Sequence, residues 1–94
     1  MQMEKEIKQI KDEEGNLLGE IHYRNGIADG ACRLWYKNGQ LHQESNYSEG
    51  IFNGTYRSWW DNGLPKEETE FVHGVKKTSK HFDINGELVS EYTS

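Results

Sequence analysis

Four histidines, one cysteine and a set of repeated aromatic and charged positions are the residues of this chain that could do chemistry. His22, His42, His73 and His81 are dispersed, and none stands at ligand spacing from a second His or from Cys32. That pattern predicts no metal centre. Cys32 is single, so no intrachain disulfide forms and the thiol reads as structural, in a reducing compartment. His42 and Glu44 fall on one strand face, but two residues do not make a proton relay. Serines and aspartates are common without a nucleophile elbow or a glycine-rich phosphate loop. The expectation is a protein that is not an enzyme and carries no cofactor and no metal.

Binding chemistry is better represented. Trp35, Tyr36, Trp59 and Trp60 form two adjacent aromatic pairs. Neighbours in a strand point to opposite faces, and a single sheet of this size cannot cover both. At least one aromatic row is therefore expected to be exposed, covered by an end segment or part of an interface, and in the last case its Trp and Tyr rings are the anchors. Arg33 and Arg57 precede Trp35 and Trp59 by two positions. Each can lie over an indole or pair across strands with Glu20, Glu44 or Glu68. The alternative is capture of a carboxylate or phosphate. The three glutamates read either as a solvated face or as a like-charge row that steers a basic partner, such as the substrate groove of a nuclease.

These positions are organised by one period. Gly15, Gly39 and Gly63 are 24 residues apart, as are Gly26, Gly50 and Gly74. Tyr23, Tyr47 and Phe71 keep the same interval, as do Arg33 and Arg57, Trp35 and Trp59, and the three glutamates. A fixed period of this size signals a repeat architecture. Within one repeat, Leu41 and Tyr47 are apolar with Gln43 and Ser45 between them on the same side, and His42, Glu44 and Asn46 make a polar opposite side. A glycine loop over Ser48–Gly54 follows, then the aromatic strand Thr55–Trp60, then Asp61-Asn62-Gly63. Alternation bounded by glycine turns predicts strands. They are expected near 5–12, 17–24, 31–37, 41–48, 55–61, 65–72, 78–83 and 87–93. Residues 3–11 could also begin an amphipathic helix through Ile7 and Ile10, but the repeat register favours a strand. The fold class is all-β: an elongated single-layer antiparallel meander of stacked hairpins. It is one domain over 1–94, with repeats near 12–35, 36–60 and 61–82 and a half-repeat at 83–94. The third copy is degraded, with Pro65 at a strand start and Thr78 replacing a glycine. Terminal repeats often deviate in this way.

Size and charge narrow the partner. A chain of 94 residues has a thin core. Its net charge of −5 argues against holding a nucleic acid backbone directly. It also makes a membrane partner unfavourable and suits a basic protein surface. The start, M-Q-M-E-K-E, lacks an apolar signal region, and no apolar run reaches membrane-spanning length. The expected location is the cytoplasm. Exposed edge strands invite self-association.

The pattern Y-x-N-G-x-L-x-x-E-x-x-Y-x-x-G-x-x-x-G from Tyr36 to Gly54 resembles the MORN repeat. It is most similar to the variant found in the YwqK-type antitoxin family. The likeness runs from residue 12 to about residue 92 and is clearest at 36–60. It implies an extended, twisted sheet of hairpins that binds rather than catalyses. The resemblance implies a small antitoxin-like or immunity-like inhibitor acting by surface complementarity. The resemblance names no partner; the acidic surface suggests a toxin or other protein with a basic surface, and the alternative is a phage-type inhibitor of a nucleic-acid-handling defence enzyme that competes with its nucleic acid. Lipid or scaffold binding is the other role MORN arrays imply.

Overall fold

Two kinds of tight turn alternate along the chain and fold it into a single sheet. The structure, a computed structural model, describes residues 4–94; residue 3, the first of the ambiguous N-terminal stretch, lies outside them. The strands are β1 (Lys5–Lys11), β2 (Leu17–Arg24), β3 (Ile27–Trp35), β4 (Leu41–Ser48), β5 (Ile51–Phe52), β6 (Gly54–Trp59), β7 (Pro65–Val72), β8 (Val75–Phe82) and β9 (Leu88–Thr93). They pair antiparallel in the order β1-β2-β3-β4-β6-β7-β8-β9, with the short β5 also on β4. No described residue is helical, so the ambiguous N-terminal stretch is a strand from Lys5. The principal extents, 48 × 39 × 11 Å, are those of one layer.

The short turns are Asn25-Gly26, Glu49-Gly50 and His73-Gly74. Both residues of each have positive φ, at 50° and 80°, 51° and 84°, and 49° and 82°. This is the two-residue hairpin turn whose twist matches the flanking strands. It lets the strands begin earlier than expected, at Ile27, Ile51 and Val75 instead of near 31, 55 and 78. The glycine loop expected over Ser48–Gly54 is therefore mostly hairpin, interrupted only at Asn53.

The long turns are built alike four times over. Gly15, Gly39, Gly63 and Gly86 donate to the carbonyls of Asp12, Tyr36, Trp60 and Asp83. In each, the glycine has positive φ, and the turn closes with a bulged pair. Asp12 and Asp83, in the terminal turns, cap their own loops. Asp12 Oδ1 accepts from the Glu14 and Asn16 amides, and Asp83 Oδ1 from those of Asn85 and Glu87. The Asn16 side-chain amide also donates to Asp12, and this bond is the main reason the Asp12 carboxyl is held below its ordinary pKa.

The turns also clip onto one another. The Gly50 amide donates to the Ala28 carbonyl and the Gly74 amide to the Phe52 carbonyl, each at 2.8 Å. Glu49 N–H donates to Asp29 and His73 N–H to Asn53 at equivalent positions. Side chains at a 24-residue period therefore hold neighbouring hairpins in register.

One face is better covered than the other. Gly19, Cys32, Ser45, Ser58, Thr69 and Ser79 are its buried residues. All are small, because taller neighbours on the same face roof them over. The largest of these form an aromatic cluster. Phe52 stacks on Tyr47 at 4.7 Å and on Phe71 at 5.1 Å, and meets Tyr56 edge-on at 5.8 Å. Burial raises the phenol pKa of both Tyr47 and Tyr56.

Beside the cluster lies a closed polar chain. Thr69 donates to Glu67 at 2.8 Å and shares a 2.9 Å hydrogen bond with Ser79, whose hydroxyl is 3.0 Å from His81 Nε2. Removing the Ser79 hydroxyl by Ser79→Ala should cost about 1–2 kcal/mol, since it breaks one buried and one half-buried hydrogen bond. Ser45 is just as buried, but its hydroxyl has no partner among the described residues. Ser45→Ala should therefore stay within about 0.5 kcal/mol of the parent. Urea melts of the two variants test this, and equal losses would contradict the assigned bonds.

Candidate functional site

The cross-strand register decides what the charged residues do. Gln9 lies opposite Glu20, Glu20 opposite Arg33, Arg33 opposite Glu44 and Glu44 opposite Arg57. Arg57 then faces Glu68, Glu68 faces Lys80, and Lys80 faces Glu91. Glu20, Glu44 and Glu68 are thus not the like-charge row expected as a steering surface. They and the arginines share one row of alternating sign across the whole sheet. The physical reason is that a 24-residue repeat contributes two strands, and the antiparallel pairing inserts a cation between successive acids. Arg33 Nε donates to Glu44 at 3.0 Å. Arg57, exposed and flanked by Glu44 and Glu68, closes no salt bridge among the described residues. Such solvated pairs contribute only about 0.2–1 kcal/mol each.

The aromatic pairs are also arranged differently from the expectation. Trp35 and Trp59 end β3 and β6, so Tyr36 and Trp60 fall in the long turns, where strand alternation no longer applies. Tyr36 stacks on His42 with ring centroids 4.2 Å apart. Its hydroxyl donates to the Trp59 carbonyl at 2.6 Å, and its burial raises the phenol pKa. Trp60 repeats the device one hairpin on, donating from Nε1 to the Asp83 carbonyl at 3.1 Å. Asn38 and Asn62 reinforce it by donating to the carbonyls of Asp61 and Ile84. Tyr36 and Trp60 therefore staple each long turn to the next. The cation over an indole is Lys66, 4.7 Å from the Trp60 ring, and not either arginine.

Trp35 and Trp59 differ. They are partly exposed, stand opposite Leu41 and Pro65, and their indole N–H groups bond to no described residue. Two partly exposed indoles thus stand at equivalent positions, each with a donor unused among the described residues.

The histidines occupy separate places. His22 is 3.7 Å from Glu20, His42 lies under Tyr36, and His73 is in a short turn. His81 joins Ser79 and Glu67 in a set that looks like a nucleophile, base and acid. Ser79 is only 1% exposed, however, and His81 Nδ1 is 3.9 Å from Glu67, too far for a hydrogen bond. A buried hydroxyl cannot meet a substrate carbonyl, so the set is a packing network. A surface hollow of roughly 480 Å³ is an open trough along strand ends, bordered by Lys5, His22, Tyr23, Asp29, Asn46 and Tyr47.

One surface was missed from the sequence. Ile27, Ile51 and Val75 follow the short turns and are about half exposed, at 53%, 50% and 54%. Their 24-residue interval was legible, but reading Ser48–Gly54 as a loop hid it. They form an aliphatic ridge on the margin opposite Trp35 and Trp59.

Two stretches of the chain, residues 7–25 and 28–49, match the family described as a MORN repeat variant. The match begins inside β1, earlier than the repeat boundary expected at residue 12. MORN repeats are in general protein- or lipid-binding scaffold modules, not catalysts. No curated relative and no solved structure matches the chain.

Proposed function

We propose that this chain is a protein-binding repeat module whose anchors are Trp35 and Trp59. One observation carries the reading: both indoles are partly exposed at equivalent ends of β3 and β6, with N–H groups unused within the described fold. The staples Tyr36 and Trp60 fix the turns beside them, so the surface is held ready and little ordering entropy is lost on binding. Arg57 adds an uncommitted guanidinium to the same strand as Trp59. The inhibitor form of this reading is an antitoxin-like or immunity-like protein that covers a partner's working surface. It rests on the resemblance of the Tyr36–Gly54 pattern to the YwqK-type antitoxin family and on the net charge of −5, which suits a basic partner such as a nucleic-acid-handling enzyme. The lone Cys32 is in keeping with a cytoplasmic site of action.

The test uses the tagged chain as bait in a lysate of its source organism, followed by affinity measurement with the purified partner. Trp35→Ala/Trp59→Ala should weaken that affinity by at least about 100-fold, as truncation of two anchor tryptophans does elsewhere. Trp60→Ala should lower stability more than affinity, since it removes a turn staple. Undiminished binding by a folded Trp35→Ala/Trp59→Ala variant would remove the proposal. Flotation of the chain with anionic liposomes, lost in the same variant, would replace it with a lipid-binding role.

A further inference from the structure

The outer edges of β1 and β9 carry unused backbone hydrogen-bonding groups in complementary register, and we propose that they pair head to tail with a second copy of this chain. This rests on the sheet edges and not on the tryptophan surface. Three observations support it.

The first is direction. The principal path through the sheet holds eight strands, each antiparallel to the next. Its ends, β1 and β9, therefore run in opposite directions. A second copy placed next to the first in the same orientation sets its β1 antiparallel to β9, as every internal neighbour is.

The second is register. Glu4 uses its carbonyl and amide toward Asn25, on the β2 side. Backbone alternation then turns the N–H and C=O of Ile7 and Gln9 outward. Ser94 donates to the Lys77 carbonyl, on the β8 side. Alternation from there turns the groups of Glu91 and Thr93 outward. Continuing the internal repeat register, in which Glu44 faces Arg57, sets Glu91 opposite Gln9 of the second copy. Thr93 then lies opposite Ile7. Both are outward-to-outward pairs, so the ladder closes without a slip. Gln9 already donates to Glu20 at 3.5 Å, and Glu91 takes its other side, so the row of alternating groups crosses the junction unbroken.

The third is side-chain character. β1 bears three lysines and one glutamate, whereas β9 bears Glu91, with Glu87 just ahead of it. A positive edge meets a negative one. Ile7, Ile10, Leu88, Val89 and Tyr92 are exposed on these two strands and lose water on pairing. β9 also has no proline and a single charge, so it lacks the usual protection of a free edge. A head-to-tail contact of this kind is heterologous and extends with concentration instead of closing as a two-fold dimer.

The experiment blocks one edge at a time. Proline is tolerated at an edge position whose N–H faces outward. Ile7→Pro blocks β1, and Glu91→Pro blocks β9. Light scattering after gel filtration should show the parent chain growing in mass from micromolar to millimolar concentration. Each variant alone should stay monomeric. Mixed, they should form a one-to-one dimer, since each retains the edge that the other lacks. A parent chain that is monomeric at millimolar concentration overturns the proposal. So does self-association of Glu91→Pro alone, which signifies pairing of β1 with β1. Far-UV circular dichroism checks that each variant is folded. Should a proline variant unfold, Gln9→Glu, which sets like charges across the junction, should weaken growth and Glu91→Lys should restore it in the double variant. A failure of that rescue counts equally against the register.

Discussion

Phe52→Ala is expected to destabilise the protein by about 2–3 kcal/mol, more than any other single aromatic truncation in the chain. Phe52 sits between Tyr47 and Phe71, stacked on both, and closes edge-on against Tyr56. Removing it separates rings contributed by β4, β6 and β7. Full truncation of a core Phe costs about 3–5 kcal/mol, and the half-buried site lowers that range. In a domain of this size the melting temperature should fall by roughly 10–20 °C. Thermal unfolding followed by circular dichroism measures it. A loss below about 1 kcal/mol would mean that the cluster is surface decoration and not the core.

The second large effect is at Gly74. A Cβ there would stand 2.6 Å from Ile51 Cγ2, and the residue has φ of +82°. Gly39 has φ of +90°, but no atom lies within 4 Å of its Cβ position. Gly39→Ala should therefore cost about 1 kcal/mol, the backbone penalty alone. Gly74→Ala adds overpacking and should cost about 2–3 kcal/mol. Ile51→Ala placed in the Gly74→Ala background should recover the difference, because it removes the obstructing methyl. Denaturant midpoints of the parent, Gly74→Ala, Ile51→Ala and the double variant form the cycle, with Gly39→Ala as the control. Equal costs at the two glycines, or no recovery, would contradict the close approach of the short turns.

Both predictions depend on contacts that the repeat period does not display. Phe52 occupies a position held by Ala28 in the preceding copy and Lys76 in the following one. Nothing periodic marks it, and it lay in a stretch expected to be loop. The ridge of Ile27, Ile51 and Val75 was periodic and still went unread, because Glu49-Gly50 and His73-Gly74 are less recognisable as hairpin turns than Asn25-Gly26. Conversely, Asn62-Gly63, an Asn-Gly pair that reads as a two-residue hairpin as strongly as Asn25-Gly26 does, belongs to a longer turn in which Gly63 alone has positive φ.

From the sequence alone came the single-layer meander of antiparallel strands, the 24-residue rows and the solitary state of Cys32. Period-2 alternation and glycine spacing are local properties that the chain carries wherever it goes. Only the tertiary structure decided which rows interleave. It put Arg33 and Arg57 between the glutamates, moved Tyr36 and Trp60 into stapling turns, and left Trp35 and Trp59 with unused donors. Those outcomes depend on cross-strand register and on bulges at the strand ends. Each is set by how many residues a turn consumes, a sum over non-local pairings that no single stretch of sequence contains.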